Sequence, residues 1–341
     1  MRPHLMPRWW TAILRMGLAL ALSTTVGGVS PSAAQETHVI VISGLGGDPA
    51  YSQRFVEWGG TFVAAAGELG IPEARIAFLA ESLDGDSKIT ERSTRENVEK
   101  AFAKVVDEAG EGDQVFVVLI GHGSYVSGES RFNLPGPDMT AEDFELVLDQ
   151  LSDQRVAFIN LTSASGGFVG ALSGPGRMIV TATKTGMERN ETSFGGYFVE
   201  AFAGDGADLN RDERVSLLEA FQFARTEVAR EYETSNRILT EHALLDDNGD
   251  GEGSSEVEDG PDGRTARAMF LAPDKTRAAA MATDDPVLRA LYEVKADLER
   301  RLEELRAIRE QMEENRYERE LEDLLVELAL NNREIRALGG G

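Results

Sequence analysis

The sequence predicts an α/β protein with a mainly parallel sheet and helices on both faces. Short apolar, β-branched runs have the length of buried strands, and amphipathic helical patterns separate them. This alternation favours parallel pairing, because parallel strands need a long crossover connection, which is usually a helix. The predicted strands are residues 38–43, 75–79, 115–120, 156–161 and 178–183. The predicted helices are residues 51–69, 94–109, 141–150 and 193–203.

The first 34 residues have the pattern of a signal peptide. Arginines precede a short apolar stretch at residues 16–22, and small residues at 32–34 match a signal-peptidase site. We therefore expect residues 1–34 to be removed and the mature chain to begin near Gln35. The protein would then be exported, as a periplasmic or secreted protein. The alternative is an uncleaved membrane anchor, for which the apolar stretch is short.

Composition excludes several classes of protein. The chain has 34 Lys and Arg against 59 Asp and Glu, a formal net charge of −25. Nucleic acid is not an expected partner, because binding to phosphate needs a basic surface. The chain contains no cysteine, so it has no disulfide, no thiolate metal ligand and no thiol nucleophile.

Two predicted strands end in glycine-rich turns that carry polar side chains. Residues 121–123 read Gly-His-Gly, and Ser163 follows the predicted strand 156–161. The carboxyl ends of parallel strands meet at one edge of the sheet, where α/β proteins bind their ligands. Glycine allows close backbone approach, and its N–H can stabilise an oxyanion. His122 and Ser163 are therefore a candidate dyad. Alternatively, His122 has no chemical role, and Ser163 and Ser165 cap the helix that begins near Gly167.

These motifs resemble those of the caspase- and legumain-like cysteine peptidases. Residues 115–123 are similar to the histidine block of that family, and residues 162–168 to the block that carries its nucleophile. Residues 207–221 also look like a stretch of bacterial members, and residues 44–54 resemble the legumain opening more loosely. The resemblance covers roughly residues 38–271. It implies a caspase-like α/β/α sandwich over residues 35–275 that takes a peptide or protein ligand and requires no cofactor.

The resemblance also implies roles for individual residues. His122 matches the catalytic histidine, Gly123 the glycine of the oxyanion hole, and Arg54 the arginine of the legumain specificity pocket. Ser163 stands where the family has its catalytic cysteine. A hydroxyl needs a better placed base than a thiol does, so we expect an inactive or strongly attenuated peptidase. The alternative is an active hydrolase that uses a Ser163–His122 dyad.

One acidic segment has the spacing of an EF-hand loop. Asp208, Asn210, Asp212, Ser216 and Glu219 occupy its first, third, fifth, ninth and twelfth places. The sixth place holds Glu where glycine is usual. Calcium is thus the one candidate ion, and the alternative is a structural loop that leads into a helix. Residues 246–263 are also acidic, and we expect a solvated loop there.

The chain ends in a charged helical segment, residues 284–338, which contains no glycine and a single proline. Leucine or methionine recurs every seven residues in two stretches that are out of register with each other. This pattern predicts a coiled coil or a helical hairpin, or else one solvated helix. As a tail, it would mediate homo-oligomer formation or contact with an envelope partner.

Three functions remain open from the sequence. The first is a regulatory or peptide-binding module that keeps a peptidase fold without its activity. The second is an active endopeptidase or acyl hydrolase. The third is a calcium-stabilised scaffold without a functional cleft.

Overall fold

The structure is a computed structural model. It describes residues 35–204, 206–210, 214–257, 260–271, 279–280, 283, 285–307, 309 and 312–338. The predicted signal peptide, residues 1–34, and the predicted calcium ligand Asp212 lie outside these residues. Within them, no helix has the length and hydropathy to cross a bilayer.

The described strands form a central sheet and a small one. In chain order they are β1 (Thr37–Ser43), β2 (Ile76–Ala80), β3 (Glu91–Arg92), β4 (Gln114–Ile120), β5 (Gly123–Val126), β6 (Glu129–Phe132), β7 (Met139–Thr140), β8 (Arg155–Asn160), β9 (Arg177–Thr181) and β10 (Leu244–Asp246). The central sheet has the order β10-β9-β8-β4-β1-β2-β3, and the small sheet β5-β6-β7. Strand β10 pairs antiparallel with β9, and the other neighbours in the central sheet are parallel. The predicted mainly parallel sheet is therefore confirmed.

Helices cover both faces of the central sheet. They are α1 (Pro49–Glu68), α2 (Arg95–Glu108), α3 (Ala141–Leu148), α4 (Gly167–Leu172), α5 (Phe194–Ala203) and α6 (Leu217–Thr234). Side chains of β1 alternate between two apolar cores, as the two-residue period of a strand requires. Val39 and Val41 join the core that contains α1, α5 and α6, whereas Ile40 and Ile42 join the one that contains α2, α3 and α4. The layers are thus helix, sheet and helix.

Local sequence signals fix where several helices begin. The Asp48 side chain accepts a hydrogen bond from Ala50 N at the start of α1, where Pro49 is the first helical residue. Thr140 and Asp143 form a capping box at the start of α3, in which each side chain accepts from the other's backbone N–H. These caps define the residues at which α1 and α3 begin.

The acidic loop differs from its prediction. Asp246 ends strand β10, and Asp246, Asp247 and Asp262 are buried instead of solvated. The two Asp247 oxygens accept from Gly263 N at 2.9 Å and Ala266 N at 2.7 Å. Backbone N–H groups can replace water around a buried carboxylate. The solvated-loop prediction was therefore wrong for these three side chains.

Two helices occupy the charged C-terminal segment: α7 (Pro286–Ala307) and α8 (Glu314–Ala337). Leu298, Leu305 and Leu324 are buried in one apolar cluster, against which Met312 and Tyr317 pack. The change of heptad register in the sequence falls at the boundary between the two helices. A single continuous helix does not describe this segment.

Candidate active site

The Gly-His-Gly turn and the Ser163 turn follow neighbouring parallel strands. Strand β4 pairs with β8 from Gln114↔Arg155 to Leu119↔Asn160. Beyond the last pair, Leu161 N donates to Leu119 O at 2.9 Å. Both turns therefore leave the same edge of the sheet, next to the point where the strand order reverses between β1 and β4.

The Ser163 hydroxyl lies against the backbone of Gly123. Its Oγ accepts a hydrogen bond from Gly123 N at 3.3 Å and donates to Gly123 O, also at 3.3 Å. Both distances are at the long end for hydrogen bonds. Ser163 is 4% exposed. The structure thus places the predicted nucleophile, Ser163, beside the predicted oxyanion donor, Gly123 N. That N–H donates its hydrogen bond to the Ser163 hydroxyl.

Only glycine fits at position 123. A Cβ there would lie 2.1 Å from the Ser163 carbonyl oxygen and 2.8 Å from Thr162 Oγ1. Gly123 is also the first residue of β5, which pairs with β6 in the small sheet. The close approach of this strand to the Ser163 turn is what brings Gly123 N to the hydroxyl.

The turn that carries Ser163 is held by its own neighbours. Asn160 Oδ1 accepts from Thr162 N at 3.1 Å and from Thr162 Oγ1 at 2.7 Å. Ala164, which follows Ser163, has φ +55° and is fully buried. This left-handed conformation costs an L-residue about 1–2 kcal/mol. Ala164 N donates to Glu188 O at 2.7 Å. Strained backbone of this kind concentrates at functional sites.

His122 packs against aromatic rings of α1. Its ring lies edge-on to Tyr51, with centroids 4.7 Å apart, and to Phe55, with centroids 5.1 Å apart. Burial lowers the pKa of His122 below its ordinary value, and the nearby Glu191 charge opposes that shift. The imidazole is therefore neutral near pH 7. Among the residues that the structure describes, no hydrogen bond joins His122 to Ser163 or to a carboxylate.

Arg54 belongs to a polar group beside His122. Glu191 accepts a hydrogen bond from Tyr51 Oη at 2.8 Å through Oε2 and forms an ion pair with Arg54 through Oε1. The Arg54 guanidinium carbon is 5.3 Å from the Tyr51 ring centroid. The structure thus brings the predicted specificity residue close to the predicted histidine. Glu191 was not predicted, although it lies in a polar loop between a strand and a helix.

A cleft opens next to this group. It has a volume of about 510 Å³, and its walls include Arg54, Glu191, Glu231 and Arg237. Arg237 pairs with Glu231 at 2.6 Å. Two ion pairs, each with partly exposed side chains, therefore face the space. An adjoining cleft of about 390 Å³ shares Arg54 and Glu191. The cleft is thus lined by charges of both signs, which are paired with each other.

The described members of the predicted calcium loop include a helix cap. Ser216 and Glu219 form a capping box at the start of α6. Glu219 Oε2 accepts from Ser216 N at 2.9 Å and from Ser216 Oγ at 2.7 Å, and Oε1 accepts from Asn210 N at 3.2 Å. The arrangement agrees with the alternative of a structural loop leading into a helix. Calcium binding by this loop stays a prediction.

Comparisons with known proteins assign no function. No protein-family model matches the chain, and no curated protein does either. Among solved structures, the chain is similar to a crystal structure of protein GSU0716 from Geobacter sulfurreducens, a structural genomics target. The two share 12% sequence identity and a TM-score of 0.40, over 62% of this chain and 92% of the other.

Proposed function

We propose that this chain is an exported protein with a caspase- and legumain-like α/β/α sandwich, which binds a peptide segment and hydrolyses it slowly or not at all. The proposal is supported by the three layers of the fold and by the turns of His122 and Ser163, which follow neighbouring strands. It is also supported by a cleft beside Arg54. The charged helices α7 and α8 are, in this proposal, a tail for self-association or for contact with an envelope partner.

The position of the Ser163 hydroxyl supports low activity. A serine nucleophile needs a base within hydrogen-bond reach, and that base is usually oriented by a third group. Ser163 Oγ instead bonds both backbone polar atoms of Gly123, and the His122 ring rests on Tyr51 and Phe55. The hydroxyl must leave Gly123 before it can attack and before Gly123 N can receive an oxyanion.

The ion pair between Arg54 and Glu191 supports peptide binding. Each side chain is close to half exposed, at 42% and 45%, so a ligand can reach both without unfolding a core. A ligand carboxylate would compete with Glu191 for Arg54, and a ligand cation would compete with Arg54 for Glu191. A peptide side chain that ends in a charged group or an amide could form these hydrogen bonds with Arg54 or Glu191.

The test compares the wild-type protein with Ser163→Ala and Ser163→Cys. Each protein is incubated with fluorogenic peptides that place Asn, Asp or Arg at the cleaved position, and binding of the uncleaved peptides is measured by fluorescence anisotropy. We expect all three proteins to bind one peptide class and only Ser163→Cys to gain measurable cleavage, because a thiol is partly ionised near neutral pH. Ser124→Cys is the matched control, since Ser124 lies on β5 and donates to Asn133 instead of Gly123.

Two results would contradict the proposal. Wild-type cleavage at least as fast as that of Ser163→Cys, and abolished in Ser163→Ala, would contradict slow or absent hydrolysis and would establish the active Ser163–His122 hydrolase. That alternative is favoured by the strained Ala164 turn next to Ser163, since strained backbone concentrates at functional sites. In it, Ser163 attacks the acyl carbon, His122 accepts the proton, and the Gly123 and Ser163 N–H groups hold the oxyanion. The absence of both binding and cleavage in every variant would favour the scaffold.

A further inference from the structure

A buried histidine without a hydrogen-bond partner lies far along the sheet from Ser163. His38 is on β1 and only 1% exposed, and among the residues that the structure describes neither ring nitrogen has a hydrogen-bond partner. Buried polar groups are nearly always bonded, and an orphaned one carries a free-energy cost. A ring nitrogen that bonds no protein group can ligate a metal ion.

Two carboxylates stand beside this ring. His38 Nε2 is 3.9 Å from Asp113 Oδ2. One ligand atom from each of Glu36, His38 and Asp113 can be chosen so that all three lie within 4.8 Å of one another. Asp113 is buried, and it accepts from Glu36 N at 2.7 Å and from Gly110 N at 2.8 Å. These backbone donors orient its carboxylate, as the outer contacts of metal ligands do.

We propose that Glu36, His38 and Asp113 bind one divalent transition-metal ion, with Zn²⁺ the best match. An imidazole nitrogen with carboxylate oxygens suits Zn²⁺, whereas Ca²⁺ and Mg²⁺ prefer oxygen ligands alone. Ligands around a tetrahedral zinc are roughly 3.4 Å apart for bonds of about 2.1 Å. The three side chains need only a small inward movement to reach that spacing. A water molecule completes the coordination.

A metal ion can reach the cluster from solvent through its exposed side, at Glu36. Glu36 is one-third exposed and pairs with Arg75. A metal ion that enters the site would replace Arg75 as the partner of Glu36. The other two ligands, His38 and Asp113, are buried. Glu36 and Asp113 lie just before β1 and β4, at the amino ends of these strands. The site is at the opposite edge of the sheet from Ser163, so its ion would join the starts of two central strands and take no part in peptide binding.

The test is a zinc titration of tag-free, metal-depleted protein by calorimetry, with thermal unfolding measured in parallel. We expect the wild type to bind one Zn²⁺ per chain and its Tm to rise with zinc. Glu36→Gln keeps the buried residues intact and should bind at least tenfold more weakly. Glu73→Gln is the matched control, because Glu73 is an exposed carboxylate on the same surface outside the cluster, and it should behave as the wild type does.

His38→Gln, checked for folding by circular dichroism, should lose the site altogether. If that variant does not fold, the comparison of Glu36→Gln with Glu73→Gln decides. Less than one bound zinc per wild-type chain, or equal affinities of the wild type and Glu36→Gln, would overturn the proposal. Peptide binding at Arg54 should not change in any of these variants, so this test and that of the proposed function fail independently.

Discussion

The contact between Gly123 and the Ser163 turn makes a quantitative prediction for Gly123→Ala. The new methyl carbon would lie 2.1 Å from the Ser163 carbonyl oxygen, about 1.3 Å short of an ordinary contact at 3.4 Å. It would also lie 3.1 Å from the Arg131 carbonyl oxygen. Two of the three neighbours are backbone atoms, so no side-chain rotation relieves the clash. We expect a loss of about 3 kcal/mol in the free energy of unfolding, the upper end for overpacking.

The assay is urea unfolding followed by circular dichroism, with thermal unfolding as a second measurement. A loss of about 3 kcal/mol corresponds to a Tm about 6–12 °C lower for a domain of this size. Gly67→Ala is the control, because a Cβ at this helical position of α1 meets no atom of the described residues within 4 Å. It should be neutral or stabilise by about 0.5–1 kcal/mol. A Gly123→Ala protein within about 0.5 kcal/mol of the wild type would refute the close packing of β5 on the Ser163 turn.

Three further predictions concern other contacts. NMR titration should give His122 a pKa below 6.5, and Glu191→Gln should lower it further by removing the opposing charge; an unchanged or higher value would contradict the placement of Glu191. The pKa of His122 is lower in the folded protein than in the unfolded chain, so the unfolded chain binds a proton at higher pH. The contribution of His122 to the free energy of unfolding is therefore complete above pH 6.5 and is lost on acidification. Ser216→Ala removes a helix cap and should cost about 1–2 kcal/mol in urea unfolding, and a cost near zero would contradict the cap. Leu305→Ala should destabilise the α7–α8 pair by about 2 kcal/mol in hydrogen exchange, whereas Leu330→Ala, 46% exposed, should have little effect; equal effects would refute the buried cluster.

Five strands of the central sheet, β1, β2, β4, β8 and β9, were predictable because each lies in an apolar run, whereas the short edge strands β3 and β10 were not predicted. The strands β4, β8 and β9 are buried on both faces, which is typical of strands in a mainly parallel sheet between two helix layers. Their order along the chain then placed His122 and Ser163 at one edge. The choice of these two residues also rested on the glycine-rich turns around them and on the resemblance to the caspase- and legumain-like peptidases.

The small sheet and Glu191 could not be predicted in the same way. The β5 strand reads Gly-Ser-Tyr-Val and β6 reads Glu-Ser-Arg-Phe, so neither has the apolar pattern of a core strand. Their pairing depends on tertiary contacts such as that between Gly123 and Ser163. Glu191 reaches Tyr51 and Arg54 across 140 and 137 positions of sequence. Long-range pairs of this kind leave no local signal.

The turn after β8 has a consequence for the exchange of serine and cysteine at position 163. Its shape is set by the Asn160 side chain, the Thr162 backbone and the left-handed Ala164, and residue 163 helps to build it mainly through its main chain. Sulfur can therefore replace oxygen at that position while the loop keeps its course. A Ser163→Cys protein would therefore differ from the wild type by one atom at this turn.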